Sequence, residues 1–472
     1  MSSTFFSDFL IVTDWKTVLF IAIIIGLFGV MKFMEKKKVK FTTRMLSATV
    51  IGLLLGLLIQ VVAGFPETPK DVRWISEITS WYSFAGNSFM DILKMLVVPV
   101  VFLSIVRVIM NMEKQQVGRL TSRTVLMLVG TTAIAAVVGI LVANLFGLGL
   151  GMNTVVTDLE AKEVTSVLTT LRGLLPSNPV KAMAEANIVA VVIFAAFLGN
   201  GVTRMRKKYE EVETFVKFIE GFYRIITSVA MTVIKFMPYA IIALLANTIA
   251  ERGMSAIALV IDFVIAIYVS IAIMFAIHML IIMLNGINPV KYVKRVAQPL
   301  ILAFTSRSSL GTLPVTIEAL TDEMGVEKGV ASFVGSLGAN MGMNGCAGIY
   351  PALMAVTIAN MIGMKMDITF YAMLIIVIAV SSLGIAGLPG TATMAVSVTL
   401  SSMGMGAYFP LAGGIIAIDP IIDMGRTMLN VNGTMTTAVA VASSIKAIDK
   451  EYVKENENEI GNEERGGEEC VS

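Results

Sequence analysis

The chain has 472 residues, 56% apolar and only 15% charged, against roughly a quarter charged in soluble domains. With a mean hydropathy of +0.81, it has too few polar side chains to coat a soluble body of this length, and disordered, collagen-like and disulfide-scaffold classes are excluded as well. The net charge of +2 is too small to point to nucleic acid, and two cysteines, Cys346 and Cys470, make neither a disulfide framework nor a metal-ligand spacing. The composition is that of an all-α polytopic membrane protein surrounded by a lipid bilayer.

A spanning helix needs about 20 mostly apolar residues. Seven runs meet this test, at 17–34, 43–64, 86–110, 122–149, 187–203, 221–249 and 254–285. No charged segment and small-residue cleavage site frame the first run, so it reads as a retained helix and not a removed signal. Basic residues crowd after the first run (Lys32, Lys36, Lys37, Lys38, Lys40, Arg44), the third (Arg107, Lys114, Arg119, Arg123), the fifth (Arg204, Arg206, Lys207, Lys208) and the seventh (Lys291, Lys294, Arg295). Alternate loops are mixed or acidic. The positive-inside rule then places the N-terminus outside and the C-terminus in the cytoplasm, in a multi-pass protein of the cytoplasmic membrane.

Beyond residue 298 the apolar stretches are interrupted by Ser, Thr, Gly, Pro and Asn. The interruptions fall at 308–314, 342–345, 387–392 and 430–433. Non-helical backbone at membrane depth is tolerated only where protein buries it or where it lines a cavity, and paired broken segments mark transporter binding sites. Ser308-Ser309-Leu310-Gly311 recurs as Ser381-Ser382-Leu383-Gly384, each followed by a helix with an expected Asn-Gly break. Four matches in a Ser/Gly/Leu-rich chain arise equally from an internal repeat or by chance. From Asp449 the chain is Glu-, Asn- and Gly-rich and reads as a disordered tail.

The segment 408–446 carries the chemistry. Asp419, Asp423, Arg426 and Asn430 are spaced i, i+4, i+7 and i+11, one face of a helix, with Thr427 beside it. Each intramembrane charge costs about 2.5–3.5 kcal/mol, so this stripe needs partners. An internal Asp–Arg pair locking the bundle is one account. Recognition of a zwitterion is the other: a carboxylate such as Asp423 takes an ammonium group and the planar Arg426 fork takes a carboxylate. Ser308, Ser309 and Gly390 stand where hairpin tips would offer free N–H groups to an anion.

Two segments, Arg307-Ser308-Ser309 with Gly311-Thr312-Leu313-Pro314, and Asp423-Met424-Gly425-Arg426-Thr427-Met428-Leu429-Asn430-Val431, resemble the signatures of the dicarboxylate/amino acid:cation symporter family, which has the glutamate-transporter fold. The similarity covers roughly 43–446. Segments 305–309 and 387–394 look most like its branch of bacterial L-cystine importers, which the extra helix 17–34 also fits. The resemblance implies a glutamate-transporter-like elevator fold with two re-entrant hairpins, assembled as a homotrimer. It divides the chain into an extra N-terminal helix and basic loop (1–42), scaffold helices (43–115), a transport-domain helix (116–150), scaffold and trimerisation helices (151–252), a transport domain (253–446) and an acidic tail (447–472).

By matching positions, Asp423 binds the α-ammonium, Ser309 with hairpin backbone binds the α-carboxylate and Arg426 takes the distal charge. Ser308, Gly390, Thr391, Thr427, Asn430 and Cys346 complete the pocket. Sodium-coupled relatives have Asn-Met-Asp-Gly-Thr where this chain has Gly342-Met343-Asn344-Gly345-Cys346, and an Asp where it has Thr434. Both charge-neutralising carboxylates are thus missing. Backbone carbonyls, Asn430 and Thr131 or Thr132 remain as oxygen ligands for sodium. The expectation is that multi-sodium coupling is lost and that a proton is the coupling ion, with Asp419 or Asp423 as carrier.

Other features take plainer readings. His278 is expected as a packed or interfacial residue near the cytoplasmic end of its helix. The 32 methionines are apolar filler, and the Gly-rich stretch 147–151 lacks the strand–turn–helix context and Lys of a phosphate loop. The sequence therefore points to a secondary symporter that imports L-cystine without cofactor, enzymatic residues or metal. The alternative substrates are glutamate, aspartate or a C4-dicarboxylate. An intramembrane aspartyl enzyme is disfavoured, because two aspartates one turn apart cannot easily share an attacking water. A channel would not give uptake against a gradient.

Overall fold

The computed structural model describes residues 11–449 except 67, 111–117, 152–176, 186 and 386–390. Helix is the form that satisfies every backbone group inside lipid. Among the described residues the sole β feature is an isolated antiparallel bridge between Val326 and Ile448. Five helices there are long and apolar enough to cross a membrane, or seven if two bent pairs each count as one span. Gly390 and almost all of the acidic tail lie outside the described residues.

The first half is a stack of long helices: α1 (Trp15–Lys36), α2 (Phe41–Ala63), α3 (Arg73–Met110) and α4 (Gly118–Leu145), then the short α5 (Pro179–Ala184), α6 (Ile188–Met205), α7 (Glu211–Ile234), α8 (Met237–Arg252) and α9 (Met254–Leu284). Helix α3 begins 13 residues before the apolar run that announces it. Its first turns carry a buried stripe, Trp74, Ile75, Ile78 and Tyr82, among polar residues that dilute the hydropathy of any window. The stripe packs on α1, with the Phe20 and Trp74 rings stacked at 5.6 Å. Tyr82 donates to the Phe20 carbonyl at 2.8 Å. The run expected at 221–249 is two helices, α7 and α8, bent by 48°. Pro238 in the first turn of α8 lacks the N–H that a continuous helix would need.

Helices α2 and α8 lie against each other along their length. A Cβ on Gly56 would stand 2.7 Å from the Ile249 side chain, so the contact depends on a small residue, as helix packing in lipid commonly does. Gln60 ties the far end, donating to the Ile249 and Ala250 carbonyls at 3.0 and 2.9 Å. Large apolar side chains such as Leu126, Leu145 and Leu284 are exposed, as lipid-facing positions are.

The second half is made of broken elements. After α10 (Pro289–Arg295), α11 (Ala297–Ser306) and α12 (Ser309–Glu318) pack as the two arms of a hairpin. Helix α13 (Lys328–Gly338) ends in a bend, followed by a π-helical turn (Asn344–Ile349) and α14 (Tyr350–Met361). Next come α15 (Ile368–Ser381), a 3-10 turn (Ser382–Gly384) and α16 (Ala392–Ser402), the arms on either side of the undescribed 386–390. The last are a 3-10 segment (Gly406–Ala412), α17 (Gly413–Ala417) and α18 (Asp419–Ile445), with a bend of 88° between 406–417 and α18.

Three expectations change here. The segment 408–446 is not one helix, because the bend at Ile418 makes Asp419 the first residue of α18. Asn430–Gly433 is not a break but the middle of α18. Ser308 starts the second arm of its hairpin, whereas Ser381 ends the first arm of the other, so the two Ser-Ser-Leu-Gly segments occupy different places.

Candidate functional site

The hairpin tip, the bend before the π-helical turn and the first turns of α18 converge. At the tip, α11 ends at Arg307, which takes a left-handed conformation with φ of 57°. Such a conformation costs a non-glycine residue about 1–2 kcal/mol. Its N–H donates to the Ala303 carbonyl at 2.9 Å, closing α11. Ser308 caps α12, its side chain accepting from the Gly311 N–H at 3.0 Å.

The turn at Arg307 sends its guanidinium to the charged face of α18. Arg307 Nε donates to Asp423 Oδ2 at 3.0 Å, and its Nη2 lies 3.6 Å from Asp419 Oδ2. Arg426 Nη2 bonds to both Asp419 Oδ1 and Asp423 Oδ1, the latter at 3.1 Å. Two arginines and two aspartates thus form a closed quartet in which all four side chains are at least 96% buried. Sequence spacing identified three members. Arg307 stands in the sequence only as part of a motif, and its pairing across 116 residues has no local signature.

The quartet is balanced in charge but unsaturated in hydrogen bonds. Arg307 Nη1 and Nη2 and Asp419 Oδ2 are buried without a hydrogen-bond partner among the described residues. Unpaired buried polar atoms are uncommon, and here they sit on charged groups at a broken element. The Arg426 guanidinium also lies over the Tyr350 ring at 4.0 Å, a cation–π contact that fixes its plane.

The other expected site residues fall in three places. Thr427 Oγ1 donates to Asp423 Oδ1 at 3.4 Å, and Cys346 Sγ stands 3.8 Å from the same oxygen. Asn430 is committed internally: its Oδ1 accepts the Gly345 and Cys346 N–H groups at 2.8 and 3.2 Å, and its Nδ2 donates to Cys346 Sγ at 3.0 Å. It therefore caps the π-helical turn. A Cβ on Gly345 would meet the Arg426 backbone at 2.6 Å, so the glycine permits this approach. Ser309 and Thr391 are buried at the starts of α12 and α16.

The expected ion-coupling residues other than Asp419 lie elsewhere. Asn344 donates from Nδ2 to Thr131 and Thr132 Oγ1 at 3.1 and 3.2 Å. Gly342 has a φ of 63° and packs on Leu128, its N–H donating to the Ser382 carbonyl at 3.1 Å. Thr434 donates to the Asn430 carbonyl at 3.0 Å. His278 is fully buried and hydrogen-bonded to Asn344 and Asn432, which settles it as packed and not interfacial.

Residues 41–444 match the family model described as the sodium:dicarboxylate symporter family. This chain belongs to that family. It is a multi-pass membrane protein of the symporter class and not an enzyme. It is similar to proteins named "L-cystine uptake protein TcyP" from three organisms. The Bacillus licheniformis protein is 36% identical over 463 residues, covering 94% of this chain and 98% of the relative. The Bacillus cereus protein is 35% identical over 458 residues, with 93% and 97% covered. The Shouchella clausii protein is 35% identical over 473 residues, with 96% and 99% covered.

Proposed function

We propose that this symporter imports L-cystine across the cytoplasmic membrane and that the quartet of Arg307, Asp419, Asp423 and Arg426 receives it. The carrying observation is the charge count of the site: two cations and two anions, buried and mutually paired. Cystine carries two ammonium and two carboxylate groups. It can exchange every internal ion pair for an external one without stranding a buried charge, and stranding one costs about 3–5 kcal/mol. Glutamate has a single ammonium and leaves one aspartate uncompensated unless a proton binds it, and a C4-dicarboxylate leaves two. The similarity to the cystine uptake proteins supports the same reading.

In this reading Asp423 and Arg426 take the ammonium of one head and the carboxylate of the other. Asp419 and Arg307 take the remaining two groups, with Ser309, Thr391 and Gly390 supplying further donors from the hairpin tips. A proton is the coupling ion, since the positions of Asn344 and Thr434 carry no carboxylate. The protein works as a homotrimer by an elevator movement, divided as at 43–115 and 151–252 for the scaffold and at 116–150 and 253–446 for transport, with the N-terminus outside. The test is uptake of labelled L-cystine into proteoliposomes. Concentrative uptake under an inward proton gradient without sodium, resistant to excess glutamate, is expected. Uptake only with a sodium gradient overturns the coupling assignment. Accumulation of glutamate or a dicarboxylate in place of cystine overturns the substrate.

A further inference from the structure

A second buried polar path crosses α18 at Asn432, less than two turns beyond Arg426, and holds no charged group. It runs from Tyr292 in α10 through Asn432 in α18 and His278 in α9 to Asn344 at the break, ending on Thr131 and Thr132 in α4. All six residues are buried. A Cβ on Gly433 would collide with Asn344 Oδ1 and come within 3.1 Å of the His278 ring, so the glycine on α18 gives this path its room.

The direction of every bond follows from one atom that can only accept. The Leu128 carbonyl takes the hydroxyl protons of Thr131 and Thr132, at 3.1 and 2.8 Å. Both threonine oxygens must then accept from their other neighbour, so Asn344 turns its amide nitrogen to them. That places Asn344 Oδ1 against His278 Nε2 at 3.0 Å, which requires a proton on Nε2. The opposite ring nitrogen, Nδ1, is left to accept from Asn432 Nδ2 at 3.1 Å. Asn432 Oδ1 finally accepts from the Tyr292 hydroxyl at 3.1 Å. With a neutral imidazole no other assignment satisfies the whole chain.

We propose that His278 is a positioning residue, held as the neutral Nε2–H tautomer, that locks the Asn344 amide nitrogen onto Thr131 and Thr132. The lock fills this position with N–H donors where a cation would need oxygen atoms. Sodium, the ion in the family's description, is a hard cation that takes oxygen ligands, and the donor set at Asn344 does not fit it. Turning the Asn344 oxygen toward the threonines would force the histidine to change tautomer, Asn432 to flip and Tyr292 to become an acceptor. The change goes beyond a missing carboxylate: a hydrogen-bonded strut occupies the position.

His278 is the single histidine of the chain, so selective nitrogen-15 labelling of histidine in the purified full-length protein reports on it alone. The expected spectrum has a protonated Nε2 and an unprotonated, hydrogen-bonded Nδ1, identical in sodium chloride and choline chloride. Asn432→Ala should shift the Nδ1 resonance and leave the Nε2 proton in place. An Nδ1–H tautomer, an imidazolium, a shift specific to sodium, or an Nδ1 resonance indifferent to Asn432→Ala would each overturn the proposal. The readout does not involve cystine, so it stands or falls separately from the substrate assignment.

Discussion

Helix α18 carries two buried polar regions less than two turns apart, and they are built on opposite terms. Around Asp419, Asp423 and Arg426 the groups are charged and paired, yet Arg307 Nη1 and Nη2, Arg426 Nε and Nη1 and Asp419 Oδ2 have no hydrogen-bond partner among the described residues. Around Asn432 the groups are neutral, and each donor from Tyr292 to Thr132 has an acceptor. Burial is equally complete in both. On the proposed function, the contrast separates a place prepared for a ligand from a place already filled. Charge that is paired but short of hydrogen bonds can be re-paired by a substrate, whereas a saturated neutral chain has nothing to offer one.

The largest expected effect tests the charged side of this contrast. Arg307→Ala should reduce cystine transport at least about 100-fold, since removing one partner of a buried pair costs about 3–5 kcal/mol and each 1.4 kcal/mol is tenfold. Uptake assays on size-exclusion-checked protein measure it, with Arg307→Lys as the charge-retaining control. Near-normal uptake by Arg307→Ala would remove it from the site. Gly345→Ala should lower the thermal stability by about 1–3 kcal/mol, the usual cost of overpacking a filled interior. Its new Cβ meets backbone and not a flexible side-chain end. An unchanged melting temperature would mean that the π-helical turn and α18 are not in close contact. The smallest effect belongs to Cys346→Ala, which loses a weak sulfur contact and should change cystine uptake by no more than about fivefold, the size of one neutral hydrogen bond. Complete loss would make the thiol a participant in recognition or exchange.

Much of the charged region was legible because it depends on local spacing. Positions i, i+4 and i+7 fix a helical face before any tertiary structure is known, and Ser308 with the Gly- and Pro-rich stretches located the hairpins. What escaped was set by contacts between distant segments. Arg307 reaches α18 only because its own backbone turns left-handed. His278 sits in one of the most apolar helices of the chain, where nothing nearby in sequence marks its bonds to Asn344 and Asn432. Asn432-Gly433 reads as a break by composition, yet the glycine serves close packing inside an intact helix. The α7–α8 bend had a visible cause in Pro238, hidden by the apolar run around it.

The central claim is that the quartet reads both heads of a double zwitterion. It is tested most directly by equilibrium binding of L-cystine and of S-methyl-L-cysteine, which has a single head, to the purified protein and to Arg426→Ala. Charged hydrogen bonds contribute about 1.5–3 kcal/mol each, so the unsubstituted protein should favour cystine by at least about 100-fold, and Arg426→Ala should shrink that preference to within about tenfold. An equal loss of affinity for both ligands would contradict the account, because Arg426 would then support the fold and not read the second head.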